Sequence, residues 1–344
     1  MLKFNEFLEA NSNKLKDDTV LLIVCNAKSK TVASQNYNDF SIDTEFLSDD
    51  ELNEITGMAQ AQGIPFRIFY DEKDFMENLL LNDSKYFDRF IVYNSAQNGV
   101  GPGRKALIPS ICKYFNIRYT GSNPYRVCLC RDKFAVYCLL STENVKVPKS
   151  VLYYNDKTVL NLDKNTFYIA KPLYESSSLG ITQKNIFKGS AVPYAYLSKL
   201  SERMQQPLLI QQFINGYEIE VPVLLGNNSV YVFKPIVLHK DKNSLLMGEE
   251  ILDYDCIYND DYFFSAFPDE FDDSGVKSTA EQVAILLGLK GLCRVDFRYL
   301  PNGEFYVTDV STNPHFIKHS SVNFAFKQIG LKDKDILKTL LALS

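Results

Sequence analysis

The first third of the chain alternates between two patterns of apolar and polar positions. Short apolar runs rich in β-branched and aromatic residues predict strands, and segments with helical periodicity lie between them. The predicted strands are residues 19–25, 65–70, 89–93 and 117–120. The predicted helices are residues 50–62, 73–82 and 104–114. Because strands separated by helices pair in parallel, we expect a parallel α/β domain that ends near Gly121.

Strand signals dominate the rest of the chain, after a helix predicted over residues 132–144. Apolar runs at 167–172 and 207–214 predict buried strands, and Asn215-Gly216 predicts the turn before a strand at 217–225. Of the two acids in that strand, Glu218 could hold a ribose hydroxyl, whereas Glu220 is assigned to a solvated face. The polar stretch at 239–262 is long for a loop, and long loops are often lids.

Residues 291–314 predict a β-hairpin that brings two carboxylates together, because Asn302-Gly303 is a strong two-residue turn signal. The pairs expected from a turn centred there are Leu300 with Phe305, Asp296 with Asp309, and Arg294 with Ser311. The opposite face, which we expect to be buried, holds Cys293, Val295, Phe297, Tyr299, Tyr306, Thr308 and Val310. Facing carboxylates repel each other, so the pair needs a counter-cation. That cation is either Mg²⁺, which prefers oxygen ligands, or Arg294 or Arg298 in a structural ion pair.

Composition narrows the class of protein. A chain of 344 residues with 46% hydrophobic and 23% charged residues is typical of a globular protein with two or three domains. Its net charge of -5 and its dispersed Lys and Arg give no basic stripe, so nucleic acid is not an expected partner. The N-terminus lacks a signal-peptide pattern and no apolar run has the length of a membrane span, so we expect a cytoplasmic protein with no membrane partner.

Two further segments carry chemistry of their own. Lys171 ends an apolar strand, is followed by Pro172, and precedes a serine loop at residues 176–180. A fixed cation beside hydroxyl and amide donors suits a phosphate chain, and the alternative is a serine-rich surface turn. The spacing of His315 and His319 suits two zinc ligands, but no third ligand stands near them, which leaves surface or substrate contact as the alternative.

The glycine-rich loop at residues 99–103 follows a predicted strand and opens a helix, a context that could receive an anion. Its spacing is G-x-G-x-G and it follows the third strand, which argues against a nicotinamide-binding oxidoreductase and leaves a structural turn as the main alternative. Arg104 and Lys105, just after this loop, could receive a substrate carboxylate, or they could be solvated cations at a helix start.

The order of these segments resembles the ATP-grasp family, and more closely the D-alanine:D-alanine ligases, over residues 90–320. The segments that carry the resemblance are Tyr119-Thr120-Gly121-Ser122, Asp132-Lys133, Lys171-Pro172, Ser177-Ser178-Leu179-Gly180, Gln211-Gln212-Phe213-Ile214, Gly216-Tyr217-Glu218, Asp253-Tyr254-Asp255, Arg294-Val295-Asp296 and Asp309-Val310-Ser311. The resemblance implies an α/β architecture, α+β in its ATP-binding part, with the nucleotide held between two antiparallel sheets. The implied domains are residues 1–120, 121–206 and 207–344.

The resemblance also implies a role for individual residues. ATP and Mg²⁺ are the implied cofactors, and Arg294, Ser177 and Tyr258 are implied to be catalytic. The implied nucleotide contacts are Lys133, Lys171, Ser176, Ser177, Ser178, Gln211, Gln212, Ile214 and Glu218. The implied metal ligands are Asp296, Asp309 and Ser311, and the implied substrate contacts are Arg104 and His315.

Enzymes of this kind let a carboxylate attack the γ-phosphate of ATP, and an amine then displaces phosphate from the acylphosphate to give an amide and ADP. The implied partners are therefore small amino-acid or peptide substrates. The resemblance further implies a homodimer, for which no residue of the sequence gives an interface.

Four departures from the family pattern make us expect an altered substrate. Asp309-x-Ser311 stands where the ligases have Glu-x-Asn, and Pro314-His315 stands where they have Pro-Gly. Ile257 replaces the lysine that usually precedes the lid tyrosine, and the segment at 25–28 lacks the serine and glutamate that grip the first amino acid. These departures also leave open a nucleotide-binding protein that has lost ligation and acts as a regulator or partner subunit.

Overall fold

The computed structural model describes residues 3–13, 15–35, 37, 40–82, 84–99, 101–155 and 157–344. Within these residues the strands form three sheets that follow one another along the chain. The first sheet is parallel and the other two are antiparallel. This arrangement confirms the predicted α/β architecture with α+β character in its second part.

The N-terminal sheet confirms the alternation read from the sequence. Its elements are α1 (Phe4–Asn11), β1 (Val20–Cys25), α2 (Asp49–Gln60), β2 (Phe66–Phe69), α3 (Glu72–Leu81), β3 (Phe90–Ser95), α4 (Leu107–Tyr114) and β4 (Arg118–Tyr119). The strands pair in the order β2-β1-β3-β4. Helix α2 begins where Ser48 and Glu51 form a capping box, which satisfies amide groups that the first helical turn leaves free. The predicted helix at 104–114 starts as a 3₁₀ turn over Arg104–Ala106.

The central sheet carries the first group of site residues. Its elements are α5 (Pro124–Arg131), α6 (Lys133–Thr142), β5 (Ser150–Tyr153), β6 (Phe167–Pro172), β7 (Ile186–Lys188), α7 (Tyr194–Met204) and β8 (Leu208–Gln212), with strand order β5-β8-β6-β7. The Asp132 carboxylate accepts a hydrogen bond from the Ala135 amide at 2.9 Å. This N-cap starts α6 at Lys133 and so fixes the position of that lysine.

The C-terminal sheet carries the second group. Its elements are β9 (Tyr217–Leu225), β10 (Val230–Val232), β11 (Ile236–His239), α8 (Tyr254–Tyr258), β12 (Phe263–Ala266), α9 (Ser274–Leu286), β13 (Gly291–Tyr299), β14 (Phe305–Ser311), α10 (Ser321–Gln328) and α11 (Asp333–Ala342). The strands follow the order β12-β11-β9-β13-β14, and β10 pairs with β9. Strand β9 thus lies beside β13, so its acidic residues face the hairpin.

The β13–β14 hairpin contains two of the three predicted residue pairs, but its register near the turn differs from the predicted one. Tyr299 pairs with Phe305, so the predicted pairing of Leu300 with Phe305 was wrong by one residue. A β-bulge after Asp296 then restores the predicted pairs of Asp296 with Asp309 and of Arg294 with Ser311. One consequence is that Val307 and Phe305 pack in the core in place of the predicted Tyr306.

The beginning and the end of the chain share a core. The ring of Phe4 in α1 lies 5.3 Å from that of Tyr231 and 5.8 Å from that of Phe326. The ring of Tyr93 in β3 lies 5.3 Å from that of Phe316.

Strand β8 pairs within the central sheet, which favours a domain boundary after Gln212; the domain limits themselves stay a prediction. Among the residues described, no helix combines the length and the apolar character that a membrane crossing requires.

Candidate active site

A cavity of about 650 Å³ lies where the three sheets meet. It brings together site residues predicted from all parts of the sequence: Lys133, Lys171, Ser176, Ser177, Ser178, Gln211, Gln212, Ile214, Glu218, Tyr258, Arg294, Asp296, Asp309, Ser311 and His315. Arg104 is the predicted site residue that does not line this cavity. The assigned roles stay predictions, but the convergence of these residues on one cavity is a property of the fold.

The hairpin carboxylates are held by an arginine. Arg294 donates to both carboxylate oxygens of Asp296, from Nε at 2.7 Å and from Nη2 at 2.9 Å. Burial raises the pKa of Asp296 to about 6 in spite of this partner. Burial also acts to raise the pKa of Asp309, but the charges of Lys133 and Lys171 outweigh it and hold that pKa below its usual value. Arg294 therefore serves as the counter-cation of Asp296, which is the arginine alternative given for the hairpin.

Glu220 does not lie on a solvated face, and that expectation was wrong. It is buried in the cavity wall on β9, opposite Asp296 in register, with its carboxylate 2.8 Å from Arg294 Nη2. The expectation failed because the strand is covered on both sides, so alternation along it does not separate core from solvent. Burial raises the pKa of Glu220 to about 8, against the opposing charge of Arg294.

Two lysines bring positive charge to the cavity. Lys171 lies near the end of β6, and burial lowers its pKa to about 8 against the opposing charges of Glu218 and Asp309. Burial likewise lowers the pKa of Lys133, whose Nζ donates to the backbone oxygen of Glu175. Desolvated cations of this kind gain most from an anionic ligand, because the ligand restores the interactions lost with water.

The serine loop touches the lid segment, residues 239–262. Ser178 donates from its hydroxyl to the Leu252 oxygen, and the Tyr254 amide donates to the Ile181 oxygen at 2.9 Å. Ser177 and Ser178 both have φ of +52°, a left-handed conformation that is costly for residues other than glycine. The loop is thus held in a strained conformation by its contacts with the lid.

Tyr258 ends the short helix α8 of the lid and is about half exposed. Its ring stacks on Tyr254 at 5.6 Å, and Lys28 Nζ lies 5.4 Å from its centre. Lys28, in the segment at 25–28, therefore places a cation beside the lid. The neighbouring lid residue Ile257 carries no charge.

The predicted nucleotide wall is formed by β8 and β9. Gln211 is almost fully buried and donates from Nε2 to the Tyr137 hydroxyl at 2.6 Å, so the core fixes its orientation. Glu218 pairs with Arg298 at 2.5 Å, and Arg298 lies 5.5 Å from the centre of the Phe213 ring. These contacts hold the side chains of Gln211 and Glu218 in place, and Gln212 and Ile214 line the same wall of the cavity.

Arg104 belongs to a buried set of charges that we call the Glu45 cluster, made of Glu45, Arg104, Lys105, Arg131 and Glu175. Its guanidinium lies 2.8 Å from Glu45 Oε2 and 2.8 Å from Glu175 Oε2, and its side chain is only 1% exposed. The structure therefore supports neither a direct contact of Arg104 with substrate nor a solvated cation at this position. It brings Lys105 and Arg131 to the cavity instead.

Sequence reasoning missed Glu45 and Glu175. Glu45 lies in the segment at 41–48, near the apolar residues Ile42 and Phe46, which are buried. The same segment holds Asp43, so its sequence does not single out Glu45 as the buried acid. The partner of Glu45 could not be read from the sequence, because Arg104 is distant along the chain.

The two C-terminal histidines do not share a metal site. His319 Nδ1 lies 2.5 Å from Asp260 and its ring packs on Phe264 at 5.0 Å, whereas burial lowers the pKa of His315 in the cavity wall. Among the described residues, no three His, Cys, Asp or Glu side chains form a cluster that could hold a metal.

The glycine loop acts as a turn in the part that is described; Val100 lies outside the described residues. Gly99 and Gly101 have φ of +112° and +75°, which explains glycine at both positions. The amides before them are already used: those of Gln97 and Asn98 donate to Asn26 Oδ1 at 2.6 Å and 2.8 Å. This supports the structural-turn alternative over anion binding.

Comparisons with known proteins agree with this geometry. The family model described as the D-ala D-ala ligase C-terminus matches residues 153–342. A D-alanine–D-alanine ligase of Streptococcus pneumoniae is 24% identical over 320 residues, which covers 90% of this chain and 88% of the relative. The enzyme of the same name from Streptococcus uberis is 26% identical over 326 residues, with the same two coverages.

Solved structures show the same fold. The ATP complex of D-alanine–D-alanine ligase from Bacillus anthracis matches with a TM-score of 0.68 at 16% identity, covering 94% of this chain and 97% of that one. The VanG D-Ala:D-Ser ligase from Enterococcus faecalis matches with a TM-score of 0.62 at 18% identity, covering 94% and 99%. Since the family model spans more than half of the sequence, this chain belongs to the D-alanine–D-alanine ligase family of ATP-grasp enzymes, which are ATP-dependent, ADP-forming ligases.

Proposed function

We propose that this chain joins the carboxylate of one amino acid or small peptide to the amine of another, with hydrolysis of ATP to ADP, and that its substrates are not two D-alanines. The observation that carries the proposal is that one cavity is lined by two lysines, two aspartates and an arginine. In it Lys133 and Lys171 lower the pKa of Asp309, and Asp296 and Arg294 lie beside them. Phosphoryl transfer depends chiefly on positioning and on charge stabilisation, and these residues supply both.

The nucleotide occupies the part of the cavity between the central and C-terminal sheets. Lys133 and Lys171 contact its phosphates, and the lowered pKa of each lysine returns toward its usual value when phosphate oxygens replace water. Gln211, Gln212 and Ile214 line the adenine, and Glu218 holds the ribose. The serine loop, with Ser176, Ser177 and Ser178, covers the phosphate chain.

The hairpin fits a magnesium ion by its donor chemistry. Mg²⁺ prefers one or two carboxylates together with phosphate oxygens, and Asp296 and Asp309 are a facing pair of carboxylates with the Ser311 hydroxyl nearby. Asp296, Asp309 and Ser311 would therefore hold the ion, which when bound neutralises charge on the phosphates.

The protein's own groups account for the remaining steps. Arg294 steadies the reacting phosphoryl group while the substrate carboxylate attacks it, and the amine then displaces phosphate from the acylphosphate. Ser177 and Tyr258 close the cavity from the serine loop and the lid, which keeps water from the acylphosphate. No side-chain nucleophile is needed.

His315 supports an altered substrate. It stands in the cavity wall at the position where the family pattern has glycine, and burial lowers its pKa and so favours the neutral imidazole. An imidazole fills space that glycine leaves open and adds a hydrogen-bonding group. The side chain of the substrate at this end of the cavity must therefore differ in size or polarity from the methyl group of alanine.

The proposal is tested by ATP-dependent release of ADP and phosphate with Mg²⁺ across a panel of D- and L-amino acids and dipeptides, with products identified by mass. Substrate-stimulated ADP release with an amide product is the expected result. ATP binding with no stimulated turnover across the panel would instead favour the non-catalytic nucleotide-binding protein. D-alanyl-D-alanine as the preferred product would refute the altered substrate while leaving the ligase assignment intact.

A further inference from the structure

The Glu45 cluster carries three cations and two carboxylates. Arg104 is paired with both glutamates at 2.8 Å, Lys105 lies 3.4 Å from Glu45, and Arg131 lies 3.6 Å from Glu175. The three cations hold the pKa of Glu45 well below its usual value in spite of burial, so both glutamates are charged. When Lys105 is protonated, the cluster thus carries one positive charge more than its two carboxylates balance.

This surplus charge reaches the cavity through Lys105. The Arg104 side chain is 1% exposed, whereas that of Lys105 is 25% exposed and lines the cavity together with Arg131 and Ser176. Glu45 and Glu175 have side chains that are only 1% and 2% exposed and are already paired. This end of the cavity therefore offers a cation to a ligand, whereas the two carboxylates of the cluster are already paired.

A neutral hydroxyl now fills the place where the cations converge. Ser176 Oγ accepts hydrogen bonds from Lys105 Nζ at 2.9 Å and from Arg131 Nη1 at 2.7 Å, and it donates its own proton to Glu45 Oε1. Nε of Arg131 is buried with no hydrogen-bond partner in the described part of the chain, and Nη2 lies 3.6 Å from Glu175 Oε2. Two charged donors aimed at one hydroxyl oxygen, with a further donor left without a hydrogen bond, favour an additional anionic oxygen beside them.

We propose that Lys105, with Arg131 and Ser176 beside it, binds a second carboxylate of the substrate, so that this ligase takes an amino acid with an acidic side chain. The inference rests on the proposed ligase function and names its substrate class. A single surplus positive charge matches a carboxylate, which is a monoanion, better than a phosphate dianion. The phosphoryl group that the reacting carboxylate attacks is assigned to Arg294 on β13, whereas this site is built from the 3₁₀ turn at 104–106, the end of α5 and the serine loop.

The test compares acidic amino acids with their amides, which have nearly the same shape without the charge. Binding of D- and L-glutamate, D- and L-aspartate, and the corresponding glutamines and asparagines is measured by calorimetry in the presence of Mg²⁺ and a non-hydrolysable ATP analogue. We expect at least one acid to bind about tenfold to a hundredfold more tightly than its amide, as charge-assisted hydrogen bonds require.

Three variants locate the effect. Lys105→Met should abolish the preference for the acid while leaving the affinity for the ATP analogue unchanged, and Lys105→Arg should retain the preference. Lys113→Met is the matched control, because Lys113 is an exposed lysine on the neighbouring helix α4 and is absent from the cavity wall. Circular dichroism and thermal melting establish that each variant is folded before its affinities are compared.

Each outcome separates this inference from the proposed function. Acid binding that depends on Lys105 upholds the inference, even if no amide product forms and the ligase proposal fails. Ligation of neutral amino acids alone upholds the ligase and overturns the inference. A Lys105→Met variant that loses affinity for the ATP analogue, with no acid preference in the unmodified chain, overturns the inference and assigns the cation to the phosphates. If no acid in the panel binds in a Lys105-dependent manner, the inference is likewise overturned.

Discussion

Replacing Arg104 by methionine should destabilise the fold without touching the substrate directly. The Arg104 guanidinium makes three hydrogen bonds to buried carboxylates: at 2.8 Å to Glu45, and at 3.2 Å and 2.8 Å to Glu175. Methionine keeps the packing of the aliphatic stem but ends where the guanidinium group of arginine begins. The change therefore removes the charge and the hydrogen bonds while keeping the apolar contacts of the stem.

The magnitude follows from what remains around the glutamates. Removing one partner of a buried ion pair costs about 3–5 kcal/mol, because the other charge stays buried. Lys105 at 3.4 Å and Arg131 at 4.0 Å still face Glu45, so we expect the lower end, about 3 kcal/mol. With an unfolding entropy of about 2.1 cal/mol/K per residue, that free energy lowers the melting temperature of a 344-residue chain by about 4 °C.

Urea denaturation and differential scanning calorimetry measure the change, with two comparisons. Lys16→Met removes a cation that lies 2.7 Å from Asp88 on the surface, with side chains 53% and 68% exposed, and it should cost much less stability than Arg104→Met. Arg104→Met combined with Glu175→Gln removes one of the orphaned charges, so it should recover part of the stability that the single variant loses.

The reasoning is refuted if Arg104→Met loses no more stability than Lys16→Met. In that case the buried pairs would merely offset the cost of desolvating their charges. A variant with unchanged stability and a large loss of affinity for an amino-acid substrate would restore Arg104 to the substrate contact that the sequence suggested.

Three substitutions and one titration test the rest of the site. Asp296→Asn should abolish Mg²⁺-dependent turnover with the melting temperature retained, and full activity would remove the metal assignment. Lys171→Ala should weaken ATP binding, measured by calorimetry, by at least about tenfold, the loss of one charge-assisted contact. Gly180→Ala should lower activity, because the added Cβ would lie 2.7 Å from Pro172 and φ is +78°. Burial and Arg131 lower the pKa of Lys105 to about 7, so affinity for an acidic amino acid should fall as pH rises above 7, whereas Lys105→Arg should show no such fall.

The order of elements in the N-terminal sheet was predictable because each strand and each helix carries its own local pattern. The hairpin shows the limit of that approach. Its facing aspartates were predicted correctly from the turn signal, but the shift at Tyr299 and the bulge after Asp296 were not. The shift at Tyr299 and the bulge cancel each other in the register, so the two aspartates still face each other. The hydrophobic pattern of the sequence does not indicate a bulge.

The site residues that could be predicted from the sequence likewise differ from those that could not in how local their signal is. Residues that follow a strong local signal, such as Lys171 before Pro172 or Asp309 on the hairpin, were found in the sequence and lie in the cavity. Glu220 and Glu45 were misjudged or missed, because their burial depends on neighbours from other parts of the chain. A strand pattern does not tell which of its two faces a second sheet will cover.

The position of Arg294 explains how two buried acids can lie side by side. Asp296 and Glu220 face each other across β13 and β9, and an unpaired buried carboxylate would be costly. Arg294 lies 2.7 Å from one and 2.8 Å from the other, so a single guanidinium serves both. Each oxygen of Asp296 accepts one hydrogen bond from Arg294 and keeps a further lone pair available to a metal ion. The carboxylate proposed for the metal and the guanidinium proposed for the phosphoryl group are therefore in direct contact, so a substitution of either should disturb the role of the other.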